Sequence, residues 1–244
     1  RNFEYFSEDP YLTGSIAAAE LDGLHSAGVT GTIKHFCGNN QETNRHFLES
    51  VVSERALREI YLKGFEMAVT KGKAQTVMTT YGIVNGLWTA ASFDLNTVIL
   101  REEWGFKGYT MTDWWANINQ RGQWADKSNF ASMARAQNDV YMVCADGGKH
   151  NDNTLEALEK GTLTRAELQR NAANILNFIV GTNAMKRLMG ENTAAEIINR
   201  PEEETSAGEA AKRYELNGDL TLSAETVEDF DKIKEFLKEA EKLC

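Results

Sequence analysis

The feature that most constrains this chain is a repeated alternation. Short apolar runs with strand character are separated by amphipathic stretches of helical period, and polar and aromatic residues collect where the apolar runs end. Leu12 to Ala27 reads as a helix with Ile16, Ala19 and Leu24 available for a buried stripe and Gly28 as its stop. Val29 to His35 reads as a strand. Ser53 to Thr70 is the clearest helix: Leu57, Ile60, Tyr61, Phe65 and Ala68 recur at helical spacing behind a Ser53 cap. Thr76 to Tyr81 reads as the next strand, Asp94 to Trp104 as a helix capped by Asp94, and Tyr109 to Asp113 as a third strand. A helix over about residues 129 to 138 and a strand from Asp139 to Ala145 follow. Helices from Asn153 to Lys160 and Thr164 to Val180 are joined by Gly161, the second with Leu168, Ile175, Leu176 and Ile179 as its apolar face.

Strand, helix, strand, helix in this order predicts a parallel α/β architecture, either a barrel or an open sheet. No strand runs into a GxGxxG turn, so a doubly wound nucleotide fold lacks support, and Lys71-Gly72-Lys73 follows a helix and reads as a turn. The strand ends carry Lys34-His35, Thr79-Thr80-Tyr81 and Asp113-Trp114-Trp115, on the rim where α/β enzymes place chemistry.

Charge divides the chain. The formal net charge is -10 over 244 residues, and residues 191–244 hold 15 acids against 7 bases. The acidity therefore belongs to the tail, read here as an acidic linker with a charged helix over Glu225 to Leu243. A nucleic-acid partner would call for a basic surface, which this chain lacks. No run reaches the roughly 20 apolar residues of a membrane span. The three cysteines, Cys37, Cys144 and Cys244, are an odd number without metal-ligand spacing, which argues against a disulfide framework. The compartment is left open, cytoplasmic or secreted.

Asp113 is the strongest candidate for chemistry. A carboxylate at a strand end can attack or stabilise a positive centre, and adjacent indoles offer a flat apolar platform; sugars need that pairing. The same residues also suit a helix-capping aspartate beside core tryptophans. Lys34 and His35 can grip hydroxyls together only if the chain bends at the rim, since neighbours on a strand face opposite ways. Asn39, Asn40, Gln41 and Glu42 extend this polar cluster. Met78 and Tyr81 lie on opposite faces of a regular strand, and Tyr81 is the better pocket residue. Asp139 sits at the less interesting start of its strand, and Asp146-Gly147-Gly148 reads as a turn. Glu54 with Arg58 and Arg55 with Glu59 are helix-surface ion pairs. His35 and His46 stand too isolated for a zinc site, and Cys37 lacks an orienting third group for thiol chemistry.

Several ordered motifs then carry a resemblance. Lys34-His35-Phe36-Cys37-Gly38-Asn39-Asn40-Gln41-Glu42 resembles the KHF-x-G-N-x-Q-E signature of glycoside hydrolase family 3. Glu54 to Leu62 resembles the helix that follows it. Val77 to Tyr81 with Val84-Asn85-Gly86 is similar to the M-x-x-Y-N-x-V-N-G stretch, with Gly82 in place of the usual asparagine. Leu100 to Gly108 leads into Thr112-Asp113-Trp114, the nucleophile segment, and Arg1-Asn2-Phe3-Glu4 through Tyr11 fits as well. The resemblance covers residues 1 to 190.

It implies the second half of a (β/α)8 TIM-like barrel over residues 1–190, with 191–244 as the acidic extension. It further implies a retaining exo-acting β-glucosidase with Asp113 as nucleophile. Arg1, Lys34, His35, Met78, Tyr81 and Trp114 would bind a small β-glucoside or oligosaccharide. No cofactor or metal is implied. The acid/base glutamate and the other barrel half would come from outside this chain, in an order that suits members whose acid/base domain precedes the barrel. Cys37-Gly38-Asn39-Asn40 departs from the β-N-acetylhexosaminidase branch. The alternatives are an inactive or carbohydrate-binding remnant of the same fold, a β-xylosidase-type specificity, and a metal-dependent hydrolase built on His35, Asp113 and Asp146.

Overall fold

In a computed structural model, residues 4–143 and 152–190 are described. The expectations for Arg1, Asp146 and the acidic tail lie outside them.

The central sheet is parallel, with β1 (Thr32–Phe36), β3 (Thr76–Thr79) and β6 (Tyr109–Met111) in the order β1-β3-β6. Thr32 pairs with Thr76 and Met78 with Met111. Helices connect these strands, as parallel pairing requires. The expected α/β architecture is therefore present. A second, smaller sheet lies among the loops that follow β1 and β3. In it β2 (Glu49–Ser50) runs parallel to β4 (Ile83–Val84), which forms a hairpin with β5 (Leu87–Trp88).

Helix α1 (Pro10–Ser26) starts where Asp9 accepts the Leu12 N–H at 2.7 Å, with Pro10 in the first turn. Its buried stripe is Gly14, Ala18 and Leu21 rather than the expected Ile16, Ala19 and Leu24, and Ile16 is exposed. The stripe follows the small residues because α1 crosses the next helix closely. A methyl group at Gly14 would meet the Met67 side chain at 2.7 Å.

That next helix runs from α2 (Glu54–Ala56) through a π-helical turn (Leu57–Tyr61) into α3 (Lys63–Thr70). Ser53 caps it as expected, accepting the Ala56 N–H at 3.2 Å. The π turn widens the helix by one residue and rotates its apolar face. Leu57, Leu62 and Ala68 are buried while Ile60 points outward, 48% exposed.

The helix before β6 (Asp94–Glu103) is π-helical, and Asp94 is its first residue rather than its cap. Ser92, not Asp94, accepts the Leu95 N–H. Gly108 then lets β6 enter beside β3, since a Cβ there would lie 1.8 Å from the Gln75 carbonyl oxygen.

Helix α4 (Phe130–Arg135) is capped by Asn129, and α5 (Thr154–Glu159) and α6 (Arg165–Gly181) follow, the latter opened by a Thr164–Glu167 capping box. On α6 the fully buried positions are Asn171 and Ala173, while Ile179 is exposed. The face turned inward is the one that seats Asn171 against the Ala134 carbonyl at 2.9 Å. Helix α7 (Asn183–Leu188) closes the described region. Of the strand expected from Asp139 to Ala145, the described residues, 139–143, form one parallel bridge, Val140 with Met111, and its last two residues lie outside the described region. Its Met142 N–H bonds the Thr112 hydroxyl instead of a strand carbonyl, which ends the ladder. Among the described residues, no helix is long and apolar enough to cross a membrane.

The core lies between the sheet, α1 and the helix ending in α3, around Phe36, Leu62, Val77 and Leu100. A groove of about 900 Å³ opens along the edge of β1 that no described strand pairs with, lined by apolar residues of α1 and by Ile60 and Phe65.

Candidate active site

Three strand ends converge at one rim. β6 delivers Asp113, β3 delivers Tyr81 and β1 delivers His35, and all three side chains are buried. Asp113 Oδ1 accepts the Trp114 N–H at 2.7 Å. Its Oδ2 lies 3.5 Å from His35 Nε2. The Tyr81 hydroxyl lies near the same carboxylate; burial and that negative charge push the phenol up to about 12. Tyr81 therefore keeps its proton at neutral pH and acts as a donor. Burial lowers His35 against the pull of Asp113, which favours a neutral imidazole.

The loops hold this cluster from outside. His46 stacks on Tyr81 with ring centroids 3.9 Å apart, and the Arg45 guanidinium lies 4.9 Å from the Tyr81 centroid. Asn117 reaches the His46 carbonyl, while Asn85 exchanges hydrogen bonds with both backbone groups of Val52. Arg121 bonds the Asn85 carbonyl, tying the loop after β6 to the β4–β5 hairpin.

On the other side of His35, the Tyr5 hydroxyl approaches Nδ1 at 3.4 Å. Lys34 pairs with Glu4 at 2.6 Å. The Lys34–His35 and Phe36–Cys37 peptides are cis, and the register of β1 on β3 shifts between Ile33 and Phe36. Lys34 and His35 both line the groove beside β1. Asp113 and Tyr81 do not line that groove, so His35 stands between it and the carboxylate.

Of the residues singled out from sequence, His35, Tyr81 and Asp113 are thus brought together. Trp114 sits beside Asp113 and is 37% exposed. Lys34 is engaged by Glu4. Met78 and Tyr81, expected on opposite strand faces, are both buried. Arg45 and Tyr5 were missed: one looked like any loop cation, the other lies far from every strand end. Cys37 is fully buried, which pushes its thiol up to about 12 and removes it from thiol chemistry. No cluster of three metal-ligating side chains occurs among the described residues.

A parallel α/β sheet with a buried carboxylate at its rim defines the class. Residues 1–178 match the glycosyl hydrolase family 3 N terminal domain. The chain belongs to glycosyl hydrolase family 3. A β-glucosidase from Ruminococcus albus is 70% identical over 222 residues, which cover 91% of this chain and 23% of that protein. Among solved structures, a β-glucosidase from Paenibacillus barengoltzii superposes with a TM-score of 0.73 at 58% identity, over 77% of this chain and 21% of that one. A β-glucosidase 3B from Thermotoga neapolitana, solved in complex with glucose, gives a TM-score of 0.68 at 41% identity, over 77% and 26%. The chain thus spans only a small part of the length of each relative.

Proposed function

We propose that this chain is the nucleophile-bearing part of a retaining exo-β-glycosidase that removes terminal non-reducing β-D-glucosyl residues. The observation that carries this reading is the environment of Asp113. One oxygen is fixed by a backbone N–H, the other faces an imidazole, a tyrosine hydroxyl is placed to donate to the carboxylate, and among the described residues no Lys or Arg is bonded to it.

A retaining mechanism needs such a carboxylate ionised, oriented and not neutralised by an ion pair. It attacks the anomeric carbon, the leaving group departs with a proton from a second carboxylic acid, and water then releases the sugar from the glycosyl-enzyme. In this reading Tyr81 and His35 orient Asp113, and Trp114 walls the sugar. Lys34, Arg1 and Met78 complete the glucose contacts. The proton donor comes from another part of the polypeptide.

The fold reading goes with it. Residues 1–190 form the second half of a (β/α)8-type barrel, and 191–244 an extension. The edge of β1, which pairs with no other described strand, and its apolar groove support this, because a preceding barrel strand and helix would seat there.

The test is covalent labelling. A 2-fluoro-β-glucoside applied to the complete polypeptide that carries this chain should trap a glycosyl ester, and peptide mapping should find it on Asp113. Label on another residue, or none with an enzyme that turns over aryl β-glucosides, refutes the assignment. The 244-residue chain alone should neither label nor hydrolyse; turnover by it would overturn the need for a second part.

A further inference from the structure

His35 faces Asp113 with one ring nitrogen and Tyr5 with the other, so the position of a single proton decides what Asp113 meets. The surrounding hydrogen bonds favour one direction. Asn39 is buried, and its Nδ2 lies 3.0 Å from Glu42 Oε1 and 3.3 Å from the Tyr5 hydroxyl. A carboxylate only accepts, so Glu42 fixes the Asn39 amide with its NH2 group turned toward both partners. Its carbonyl Oδ1 correspondingly has no hydrogen-bond partner among the described residues. Glu42 is itself held by Arg45, Nη1 to Oε2, at 2.9 Å.

With both amide hydrogens committed, the Tyr5 oxygen is an acceptor toward Asn39, which frees its one proton for His35 Nδ1, 3.4 Å away. Burial keeps Tyr5 protonated and His35 neutral. A neutral imidazole that accepts at Nδ1 carries its hydrogen on Nε2, the nitrogen 3.5 Å from Asp113 Oδ2.

We infer that Glu42, Asn39 and Tyr5 form a positioning relay that sets the tautomer of His35, so that Nε2–H donates to Asp113. The relay rests on Asp113 acting as the nucleophile proposed above. Its effect is to orient the carboxylate by a neutral donor, leaving the negative charge on the attacking group. In the opposite tautomer a nitrogen lone pair would face the carboxylate oxygen and turn it away. The same loop acts twice, because Arg45, anchored by Glu42, also lies over Tyr81, the second side-chain donor to Asp113.

Neutron diffraction from deuterium-exchanged crystals of the complete polypeptide tests the relay directly. Deuterium is expected on His35 Nε2 and on the Tyr5 hydroxyl, directed at a bare Nδ1. Deuterium on Nδ1 with Nε2 bare overturns the inference. In parallel, Tyr5→Phe should lower kcat/KM for an aryl β-glucoside by about 10- to 100-fold, mainly in kcat. It should also move the acid limb of the pH profile upward, because Nδ1 becomes free to take a proton once its donor is gone. An unchanged limb with kcat/KM within about twofold of the parent overturns it equally. Failure of Asp113 to accept the fluoroglucoside label refutes the nucleophile assignment by itself, whereas the position of the deuterium reads the relay by itself.

Discussion

Two buried aspartates follow the same sheet, and their surroundings are opposite. Asp139 is saturated. Arg101 Nη2 lies 2.7 Å from its Oδ2, the Thr110 N–H donates to that oxygen at 2.9 Å, and Asn174 donates to Oδ1 at 2.9 Å. Burial raises the Asp139 carboxyl and lowers the Arg101 guanidinium, so each charge is tolerated only because the other is present. Among the described residues, Asp113 has no such counter-charge. Its firm contact is a single backbone N–H, and its remaining partners are a neutral imidazole and a phenol. A carboxylate whose acceptor sites are filled by a guanidinium and amides fastens β6 to α6. One oriented by neutral donors keeps its lone pairs for a substrate. The contrast separates an acid locked into the fold from one whose surroundings suit the nucleophile role proposed for it.

The comparison breaks most sharply on substitution. Asp113→Asn keeps an acceptor for the Trp114 N–H, so unfolding should move by no more than about 1 kcal/mol. In the complete polypeptide kcat should fall by about 10⁴-fold or more. A stability loss as large as that of an Asp139 variant would place both acids in the same structural role. Asp139→Ala should show the reverse weighting, losing about 3–5 kcal/mol in urea unfolding because Arg101 is left buried and unpaired.

The sequence made one of these acids legible and hid the other. Asp113 announced itself by position, at a strand end and ahead of two tryptophans, and the motif from Thr112 to Trp114 reinforced it. Asp139 looked like a strand start because its partners, Arg101 and Asn174, are distant in sequence and lie on two different helices. The same limit applies to helix faces. Strand and helix order follows from periodicity, and β1, β3, β6 and the helix behind Ser53 fall close to where the pattern places them. Which face turns inward depends on the neighbour. Gly14 and Ala18 displace Ile16 because α1 needs close approach to Met67, and one π turn moves Ile60 out of the core. Around the site, His35 and Tyr81 were legible from strand ends. Arg45 and Tyr5 were not, since a loop cation and an N-terminal aromatic acquire meaning only when the chain brings them to Tyr81 and His35.

Proton occupancy sharpens the contrast at the next level down. Tyr81→Phe removes a donor to Asp113 and should lower kcat/KM by about 10- to 100-fold. It should also flatten the alkaline loss of stability. Folded Tyr81 holds its proton to about 12, while the unfolded phenol releases it near its ordinary 10.0, so stability is lost as pH rises between those values. His35 acts at the other end. Its folded pKa lies below its ordinary 6.5, so the unfolded chain takes up a proton first and stability falls as pH drops below that value. His46, also lowered by burial, contributes in the same direction. His35→Gln should therefore leave a shallower acid slope in unfolding measured from pH 7 to 5, and a slope equal to the parent's would show that His35 is not held neutral.

The smallest effect belongs to the ion pairs on the surface, and it bounds the comparison from below. Arg58 binds Glu103 at 2.6 Å and Glu54 at 2.7 Å, geometry as short as the Arg101–Asp139 pair, yet both carboxylates stand in water. Solvent already solvates each charge, so separating the partners strands nothing in a low-dielectric interior. Glu103→Ala should cost only about 0.2–1 kcal/mol, and that cost should shrink further as salt is raised. Because Arg58 holds Glu103 below the ordinary carboxylate range, the contribution is present at neutral pH and disappears as pH falls through the depressed value. Urea unfolding of the parent and variant at low and high salt measures it. A loss as great as that of Asp139→Ala would mean that distance rather than burial decides what an ion pair contributes here, and the distinction between Asp139 and the rest of the chain's acids would fall with it.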